Sequence, residues 1–325
     1  MKHSNYIMFS LVLILSSIMV ISSTSWMTMW MGLEMNMMVF IPMIHETKNI
    51  KSSNSCMIYF LNQSMGSMIF LFCISWKTMY MKNTEMIIDN MMMISMMIKM
   101  GIPPFHFWFP QMMSNMSWMN CLIMMTWQKM APMFIMSNIN SKYIMIIAMM
   151  ATIVGAIGGL NQTSLRKIMA YSSINHMGWM MMCMKYNNNM WLIYLIMYSI
   201  MSTMVVIAFN NKSMMFINQM QNNKTMMEKI NLMLLMMSLG GMPPMMGFAM
   251  KWMVIQNMMN STNYMMLVMM LMVSLLTLFY YMRTMSTMMM INMTMSKWNM
   301  KSNKNYKLTF LMTMNFMMPM MTMLL

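Results

Sequence analysis

Apolar runs long enough to cross a membrane recur along the whole chain, with short polar stretches between them. About 20 apolar residues in a helix cover the roughly 30 Å of hydrocarbon in a bilayer. The alternation of apolar and polar positions that marks a membrane β-strand is absent. The pattern predicts an all-α polytopic membrane protein with about eleven transmembrane helices. They are placed at about 4–23, 25–44, 54–76, 86–109, 117–137, 142–161, 165–184, 189–210, 229–257, 262–284 and 307–325.

Two of the predicted helices share the motif Gly-x-Pro-Pro. The fourth reads KMGIPPF and contains Pro103 and Pro104, and the ninth reads GGMPPMMGFAMKW and contains Pro243 and Pro244. Proline removes a backbone donor and disrupts the helix, which is tolerated in a membrane only where the freed carbonyls face protein or water. Such paired breaks indicate the binding region of an inverted-repeat transporter, and a simple kink is the alternative interpretation.

The position of these breaks predicts an internal repeat. Each broken helix is the fourth in a group of five, so 4–137 and 142–284 are interpreted as two five-helix repeats, with helix 307–325 appended. An odd number of helices gives the two repeats opposite orientations in the membrane. The whole chain, 1–325, is predicted to be a single membrane domain, because the longest polar connections are too short for a separate one.

The composition agrees with a membrane protein, since 59% of the residues are hydrophobic and 8% are charged. A soluble domain carries about 25% charged residues. Loop lysines and arginines are much more numerous on the side of the N-terminus, which predicts that this side is cytoplasm-like. The net charge of +15 therefore reflects topology, and without a basic face with interleaved aromatic residues no nucleic acid partner is predicted. Most of the 79 methionines are interpreted as replacements for Leu or Ile.

Four charged residues lie well inside predicted spans and belong to neither side of the membrane: Glu34, Lys99, Lys129 and Lys251. A charge at the bilayer centre costs about 2.5–3.5 kcal/mol on insertion scales, so these residues must be paired, neutralised or hydrated. Glu34 and Lys99 could pair if the second and fourth helices touch. Three lysines cannot all be paired with one acid, which favours a proton relay over a set of structural ion pairs.

Two histidines and a further proline complete the candidate site. His176 lies in the span segment SSINHMGW, and His106 lies at the edge of the first broken helix. Each is predicted either to join the relay or to be an ordinary packing residue. Pro132, three residues after Lys129, is predicted as a further helix break.

Motifs for other chemistry are missing from the sequence. There is no GxGxxG after a strand, no P-loop, no HExxH and no nucleophile elbow. The four cysteines form no CxxC pair and lie in or beside apolar spans. No catalytic residue, metal site or cofactor is therefore predicted in this chain.

The motifs nevertheless resemble a known family when they are taken together. WMGLEMNMMVFIPMI, IKMGIPPFHFWFP, TWQKMAP, SSINHMGWM and SLGGMPPMMGFAMKW occur in order between about residues 25 and 257. They are similar to the mitochondrially encoded chain 2 family of NADH–ubiquinone oxidoreductase. The resemblance implies an antiporter-like membrane-arm subunit of respiratory complex I. It also implies a location in the mitochondrial inner membrane, with the N-terminus on the matrix side.

The resemblance also implies roles for individual residues. In the family the acid that corresponds to Glu34 pairs with Lys99, Lys129 is the central connecting residue, and Lys251 controls the exit half-channel. The family's histidine positions fall on His106 and His176. Flavin, iron–sulfur clusters and ubiquinone belong to partner subunits, so the chain is part of an enzyme without carrying redox chemistry. Its expected partners are other membrane-arm subunits and membrane lipids, including cardiolipin.

Three functions remain open from the sequence. The first is a proton-pumping subunit that works only inside the complex. The second is a free-standing antiporter for sodium or potassium, although the single acid within the spans argues against a dedicated sodium site. The third is a structural spacer that holds the membrane arm together without carrying protons.

Overall fold

The structure is a computed structural model of the chain. It describes residues 3–46, 49–79, 85–139, 143–186, 189–222, 226–243, 245–259 and 264–289. Within these ranges the chain is almost entirely helical, and β-type pairing is limited to an isolated bridge between Ser164 and Phe216. The prediction of a helical membrane-type protein is confirmed at this level. The predicted helix 307–325 lies outside the described residues.

Thirteen α-helices and one short 3-10 helix are present in the described ranges. The α-helices are α1 His3–Ser22, α2 Trp26–Ile44, α3 Ile50–Met79, α4 Glu85–Met100, α5 Trp108–Asn115, α6 Trp118–Met125, α7 Trp127–Ser137, α8 Ile144–Leu160, α9 Leu165–Tyr186, α10 Met190–Asn211, α11 Met226–Gly240, α12 Met246–Met259 and α13 Tyr264–Met289. The 3-10 helix is Ile217–Asn222.

Three predicted helices are divided in the structure. The fourth becomes α4 and α5, the ninth becomes α11 and α12, and the fifth is interrupted at Thr126 between α6 and α7. At Thr126 the hydroxyl donates to the carbonyl of Leu122, and the amide of Lys129 bonds to Thr126 at 3.3 Å, three residues back. This local change from α to 3-10 hydrogen bonding separates the two helices. Pro132 lies inside α7 without ending it.

Membrane-spanning character is clearest in four of the described helices, α2, α3, α10 and α13, which are long and apolar enough to cross a bilayer. Six of the shorter helices are halves of divided spans, namely α4, α5, α6, α7, α11 and α12. The outward faces are apolar, as at Met8, Leu15, Met68 and Leu275, which are 62%, 59%, 71% and 62% exposed. Surfaces of this kind are solvated by hydrocarbon and not by water.

Two compact units divide the chain, Met1–Met150 and Ala151–Leu325, and the boundary falls inside α8. In the first unit α1 packs on α2, α3 packs on α4 and α5, and α7 contacts α1, α2 and α4. In the second unit α10 packs on α9, α11 and α12, and α13 contacts α11 and α12. Each unit encloses its own set of buried polar side chains.

The polar connection before α11 is organised by specific bonds within the second unit. Lys212 at the end of α10 donates to Glu228 in α11 at 2.7 Å. The guanidinium of Arg283 on α13 donates to the carbonyl of Leu160, the last residue of α8, and to the carbonyl of Gln162, two residues further on. These bonds fix the connections around the ends of three helices.

Candidate functional site

The first helix break is a defined C-terminal cap. Gly101 has φ of +68°, in the left-handed region that glycine adopts most readily. Its amide donates to the carbonyl of Ile98 at 3.3 Å, and the amide of Ile102 donates to Met97 at 3.0 Å. These two bonds form a Schellman motif, which satisfies the last carbonyls of α4.

The second break repeats this geometry. Gly241 has φ of +81°, and its amide donates to the carbonyls of Met237 and Ser238, both at 3.1 Å. The amide of Met242 donates to Met237 at 3.3 Å, which completes a second Schellman motif. The shared Gly-x-Pro-Pro motif thus ends α4 and α11 in the same way.

A tight turn follows each cap. The amide of Phe105 donates to the carbonyl of Ile102 at 2.9 Å, and the amide of Met245 donates to Met242 at 2.8 Å. Pro244 lies outside the described residues. The other predicted break residues, Pro103, Pro104 and Pro243, lie inside these turns.

Lys99 lies in the last turn of α4 and is 5% exposed. Its backbone carbonyl accepts a hydrogen bond of 2.8 Å from Gln63 Nε2 on α3. Its aliphatic stem crosses Gly66, where an added Cβ would lie 2.8 Å from Lys99 Cγ. The absence of a side chain at Gly66 therefore gives Lys99 its place against α3.

Lys129 lies in the first turn of α7 and is 3% exposed. Its Nζ is 5.3 Å from the centroid of the Phe109 ring, within the range of a cation–π contact. Pro132 has no amide hydrogen, so the carbonyl of Gln128 lacks its usual partner within α7. The helix thus presents an ammonium and an available carbonyl in adjacent positions.

Lys99 and Lys129 line one small cavity in the first unit. The volume that the centre of a water molecule can occupy in it is about 10 Å³, which is close to the space needed for one water. Most of the wall is contributed by α2, α3 and α7. The lining residues are Leu33, Asn36, Tyr59, Gln63, Lys99, Met100, Phe109, Met124, Gln128, Lys129 and Pro132.

A chain of hydrogen bonds borders this cavity. The hydroxyl of Tyr59 donates to Gln128 Oε1 at 3.3 Å, and Gln128 Nε2 donates to Asn36 Oδ1 at 2.8 Å. Tyr59 and Asn36 are buried, so their polar atoms depend on these contacts. The two lysines therefore face polar side chains that can order water.

Glu34 lies on α2 and is half-buried, two residues before Asn36 in the cavity wall. In the structure, Glu34 and Lys99 lie farther apart than the 4.0 Å of an ion pair. The predicted pair therefore makes no direct contact in this conformation.

Lys251 belongs to the second unit and has a different environment. It lies on α12, is 6% exposed, and its Nζ donates to the carbonyl of Gly240 at 2.8 Å. Gly240 is the last residue of α11, so the ammonium lies at the negative end of a helix dipole. An added Cβ at Gly241 would lie 2.9 Å from the same Nζ.

His176 is also in the second unit, on α9, and is 1% exposed. Its Nδ1 is 2.8 Å from the hydroxyl of Tyr194, and its ring centroid is 4.9 Å from that of Tyr198. The two tyrosines are four residues apart and so lie on one face of α10. His176 thus has a specific hydrogen-bond partner, as expected both for a relay residue and for a packing residue bonded to a neighbour.

His106 lies within the first break and is 9% exposed. Its ring stacks beside Phe107, with centroids 4.2 Å apart. Nδ1 finds no hydrogen-bond partner in the part of the chain that the structure describes. His106 does not line the cavity of Lys99 and Lys129, so the structure keeps it apart from these lysines.

Known proteins resemble the chain over most of its length. The family model for the transmembrane region of NADH:quinone oxidoreductase and Mrp antiporters matches residues 23–277. NADH-ubiquinone oxidoreductase chain 2 of Anopheles gambiae is 39% identical over 95% of this chain and 92% of its own. The Aedes aegypti chain 2 is 41% identical over 97% and 95%. The chain belongs to the NADH-ubiquinone oxidoreductase chain 2 family.

Solved structures share the fold of this chain 2 family member. Respiratory complex I from Thermus thermophilus matches with a TM-score of 0.80 and 18% identity, over 89% of this chain and 71% of that one. The Mrp complex from Dietzia sp. matches with a TM-score of 0.74 and 14% identity, over 86% and 59%. At these identities the likeness concerns the fold alone. The family predicted from the motifs is confirmed.

Several polar residues of the site were not singled out from the sequence. They are Asn36, Tyr59, Gln63, Gln128, Tyr194 and Tyr198. Their common signal is a polar side chain inside an apolar span. Tyr59 and Gln63 are four residues apart, as are Tyr194 and Tyr198, which places each pair on one helix face. Asn36 and Gln128 lie within two residues of the charged Glu34 and Lys129. This signal is weaker than a charge, because a buried amide or hydroxyl is often bonded within its own helix.

The arrangement is suited to proton exchange. Amines, a carboxylate, a phenol and amides can hold protons or order the water that carries them. Among the described residues, no group of three or more His, Cys, Asp and Glu side chains could hold a metal ion.

Proposed function

We propose that this chain is a proton-translocating membrane subunit of respiratory complex I, driven by redox chemistry in other subunits. Its relatives named NADH-ubiquinone oxidoreductase chain 2 match it over almost their full length. The observation that carries the proposal is that two of its buried lysines face one water-sized polar cavity. Buried ammonium groups are costly in a membrane and are retained where they serve transport.

In the first unit, Lys99 and Lys129 exchange a proton through water in the cavity. Tyr59, Gln128 and Asn36 order that water, and Glu34 controls how strongly Lys99 holds its proton. Moving one charge against 100 mV costs about 2.3 kcal/mol. Leaving a buried ammonium without its counter-charge costs at least as much. A movement of Glu34 relative to Lys99 is therefore large enough in energy to drive the transfer.

In the second unit, Lys251 holds a proton against the carbonyl of Gly240 until it is released towards the exit. His176 and Tyr194 form a further proton-handling pair. The hydrogen bonds of 2.8 Å at both places support these roles. His106, packed in the first break, contributes at the boundary between protein and water.

The proposed topology has eleven transmembrane helices, arranged as two inverted five-helix repeats over 4–137 and 142–284, with 307–325 appended. The identical caps at Gly101 and Gly241 support the repeat. The excess of basic residues in loops on the N-terminal side supports an N-terminus in the matrix. The proposed location is the mitochondrial inner membrane, in contact with lipids including cardiolipin.

The proposed partners are the other subunits of the membrane arm. These and further subunits hold the flavin, the iron–sulfur clusters and the ubiquinone, while this chain holds no cofactor. The exposed apolar faces of α1, α3 and α13 are available to lipid or to neighbouring subunits.

Substitution of Lys129 by Met in the assembled complex tests the proposal. Lys129→Met keeps the volume of the stem and removes the ammonium, so the complex should assemble while fewer protons are pumped per NADH oxidised. Lys185→Met, at an exposed lysine, is the matched control and should pump normally. Unchanged pumping in Lys129→Met would contradict the relay and favour a structural spacer. Migration as a free monomer with intact transport, on a native gel, would favour a free-standing antiporter.

A further inference from the structure

A stripe of buried polar side chains runs along one face of α3. It consists of Ser52, Ser55, Tyr59 and Gln63, which are 2%, 0%, 1% and 8% exposed. Their spacing of three, four and four residues places them above one another on the helix. The opposite face is apolar and exposed, as at Met57, which is 64% exposed. The stripe is therefore turned into the first unit.

Ser55, in the middle of the stripe, keeps capacity to accept a hydrogen bond from water. Ser55 donates its hydroxyl hydrogen to the carbonyl of Ser52 at 2.7 Å, as serines in membrane helices commonly do. Its oxygen retains lone pairs that can accept from water. If the stripe were purely structural, its side chains would bond only to the helix backbone. Whether the stripe also contacts water is shown by what lies at its two ends.

At one end, the stripe reaches the lysine cavity. Tyr59 and Gln63 both line it, together with Lys99 and Lys129. The Tyr59 hydroxyl donates to Gln128 at 3.3 Å, so its oxygen lies at the cavity edge.

At the other end, the stripe reaches a crevice of about 410 Å³ on the side of the N-terminus. The hydroxyl of Ser52 donates to the carbonyl of Asn49 at 2.7 Å, and its oxygen also lies 3.0 Å from the carbonyl oxygen of Glu46. The same oxygen accepts a hydrogen bond from the amide of Glu46 at 3.2 Å. Glu46 is part of the crevice wall. The wall consists of Tyr6, Met43, His45, Glu46, Ser117, Met119 and Asn120.

Phe40 lies on α2 between the crevice and the cavity, after Asn36 in the cavity wall and before Met43 in the crevice wall. It is 0% exposed, and its ring meets that of Tyr59 edge-on with centroids 5.2 Å apart. From Ser52 to Gln63 the stripe covers about 16 Å at 1.5 Å per residue.

We infer that Tyr59 passes protons between the N-terminal crevice and the cavity of Lys99 and Lys129, and that Phe40 closes this path in the present conformation. The inference rests on the proposed function. The phenol releases its proton to cavity water as its oxygen accepts one from water on the crevice side. One O–H bond breaks and another forms, so Tyr59 is unchanged and the cavity gains one proton for a lysine.

Tyr59→Phe tests this role because it keeps the ring against Phe40 and removes only the hydroxyl. In the assembled complex, protons pumped per NADH should fall by as much as they fall in Lys129→Met. Phe60→Leu is the matched control and should pump normally, because Phe60 is 43% exposed and lies on another face of the same helix. Pumping at the parental level in Tyr59→Phe would overturn the inference.

Lys129→Met separates this inference from the proposed function. If Lys129→Met pumps normally, the proposed function fails. If Lys129→Met is impaired and Tyr59→Phe is not, only the role of Tyr59 fails. Ser64→Ala, at a serine that donates to Leu61 on another face of α3, should match the parent in both cases.

Thiol labelling gives an answer even if Tyr59→Phe does not assemble. In a Cys56→Ala background, Ser55→Cys should react with a charged methanethiosulfonate reagent, added from the N-terminal side, at least tenfold faster than Ser64→Cys. Adding Phe40→Ala should speed the labelling of Gln63→Cys at least tenfold, because water then passes Tyr59. Equal rates at residues 55 and 64, or no effect of Phe40→Ala, would overturn the path.

Discussion

The two helix breaks have the same backbone and use their lysines in opposite ways. Lys99 precedes Gly101 by two residues and contributes its carbonyl to a bond with Gln63 on another helix. Lys251 follows Gly241 by ten residues and contributes its ammonium to the carbonyl of Gly240. In both breaks the glycine and the prolines determine the cap. The position of the lysine relative to the cap determines which groups its ammonium can contact.

This difference has a consequence for proton exchange. Within the described residues, the Lys99 ammonium has no protein hydrogen bond and faces a cavity with room for water. The Lys251 ammonium is bound to a carbonyl at the end of a helix. We therefore expect Lys99 to exchange its proton readily and Lys251 to hold its proton more firmly.

Gly247→Ala should disrupt the second break most. An added Cβ would collide with the carbonyl oxygen of Ser238, which is backbone and cannot rotate away. Overpacking of this kind costs about 3 kcal/mol, so the amount of assembled complex on a native gel should fall sharply. The matched control is Phe107→Ala, because Phe107 follows Gly101 by the same six residues and is 70% exposed. Normal assembly of Gly247→Ala would show that the second break is as open as the first.

Lys251→Met and Lys99→Met should differ in stability although both impair pumping. Removal of the Lys251 ammonium leaves the buried carbonyl of Gly240 without its donor, which costs about 1–3 kcal/mol. Lys99→Met leaves no backbone group unpaired, because Gln63 still bonds to the carbonyl of residue 99. The midpoint of thermal unfolding of the complex should fall in Lys251→Met and change little in Lys99→Met. Equal midpoints would remove the distinction between the two lysines.

The breaks and the buried charges could be predicted from sequence because their causes are local. A glycine that favours positive φ, followed by two prolines, ends a helix in any surroundings. A lysine within an apolar run is visible as an exception to its neighbours. The partners could not be predicted, since the bond from Gln63 to Lys99 depends on how α3 packs on α4. The separation of Glu34 from Lys99 and the interruption at Thr126 also depend on tertiary contacts.

Gly66→Ala should have a moderate effect at the first break. The added Cβ would lie 2.8 Å from Lys99 Cγ and 3.2 Å from the carbonyl of Ser95. The flexible lysine stem can shift, so we expect a loss of about 1 kcal/mol together with lower pumping per NADH. Gly240→Ala is the matched control at the second break, since its Cβ would meet the Tyr281 ring at an ordinary 3.4 Å. If both variants pump alike, the position of the Lys99 stem is unimportant.

Gln63→Met should have the smallest effect, because the cavity beside it can supply a substitute. The substitution removes the 2.8 Å bond to the carbonyl of Lys99 with little change in volume. A lost hydrogen bond costs about 1 kcal/mol, and a water in the adjacent cavity can recover part of it. Asn62→Met is the matched control, because the Asn62 side chain donates to the carbonyl of Ile58 within α3. When this side-chain bond is removed, the carbonyl of Ile58 keeps its backbone hydrogen bond within the helix. The thermal midpoint should fall slightly more in Gln63→Met than in Asn62→Met. Equal midpoints would mean that the Schellman cap alone stabilises the first break, without the hydrogen bond from Gln63. The role of α3 would then be limited to the surface against which Lys99 packs.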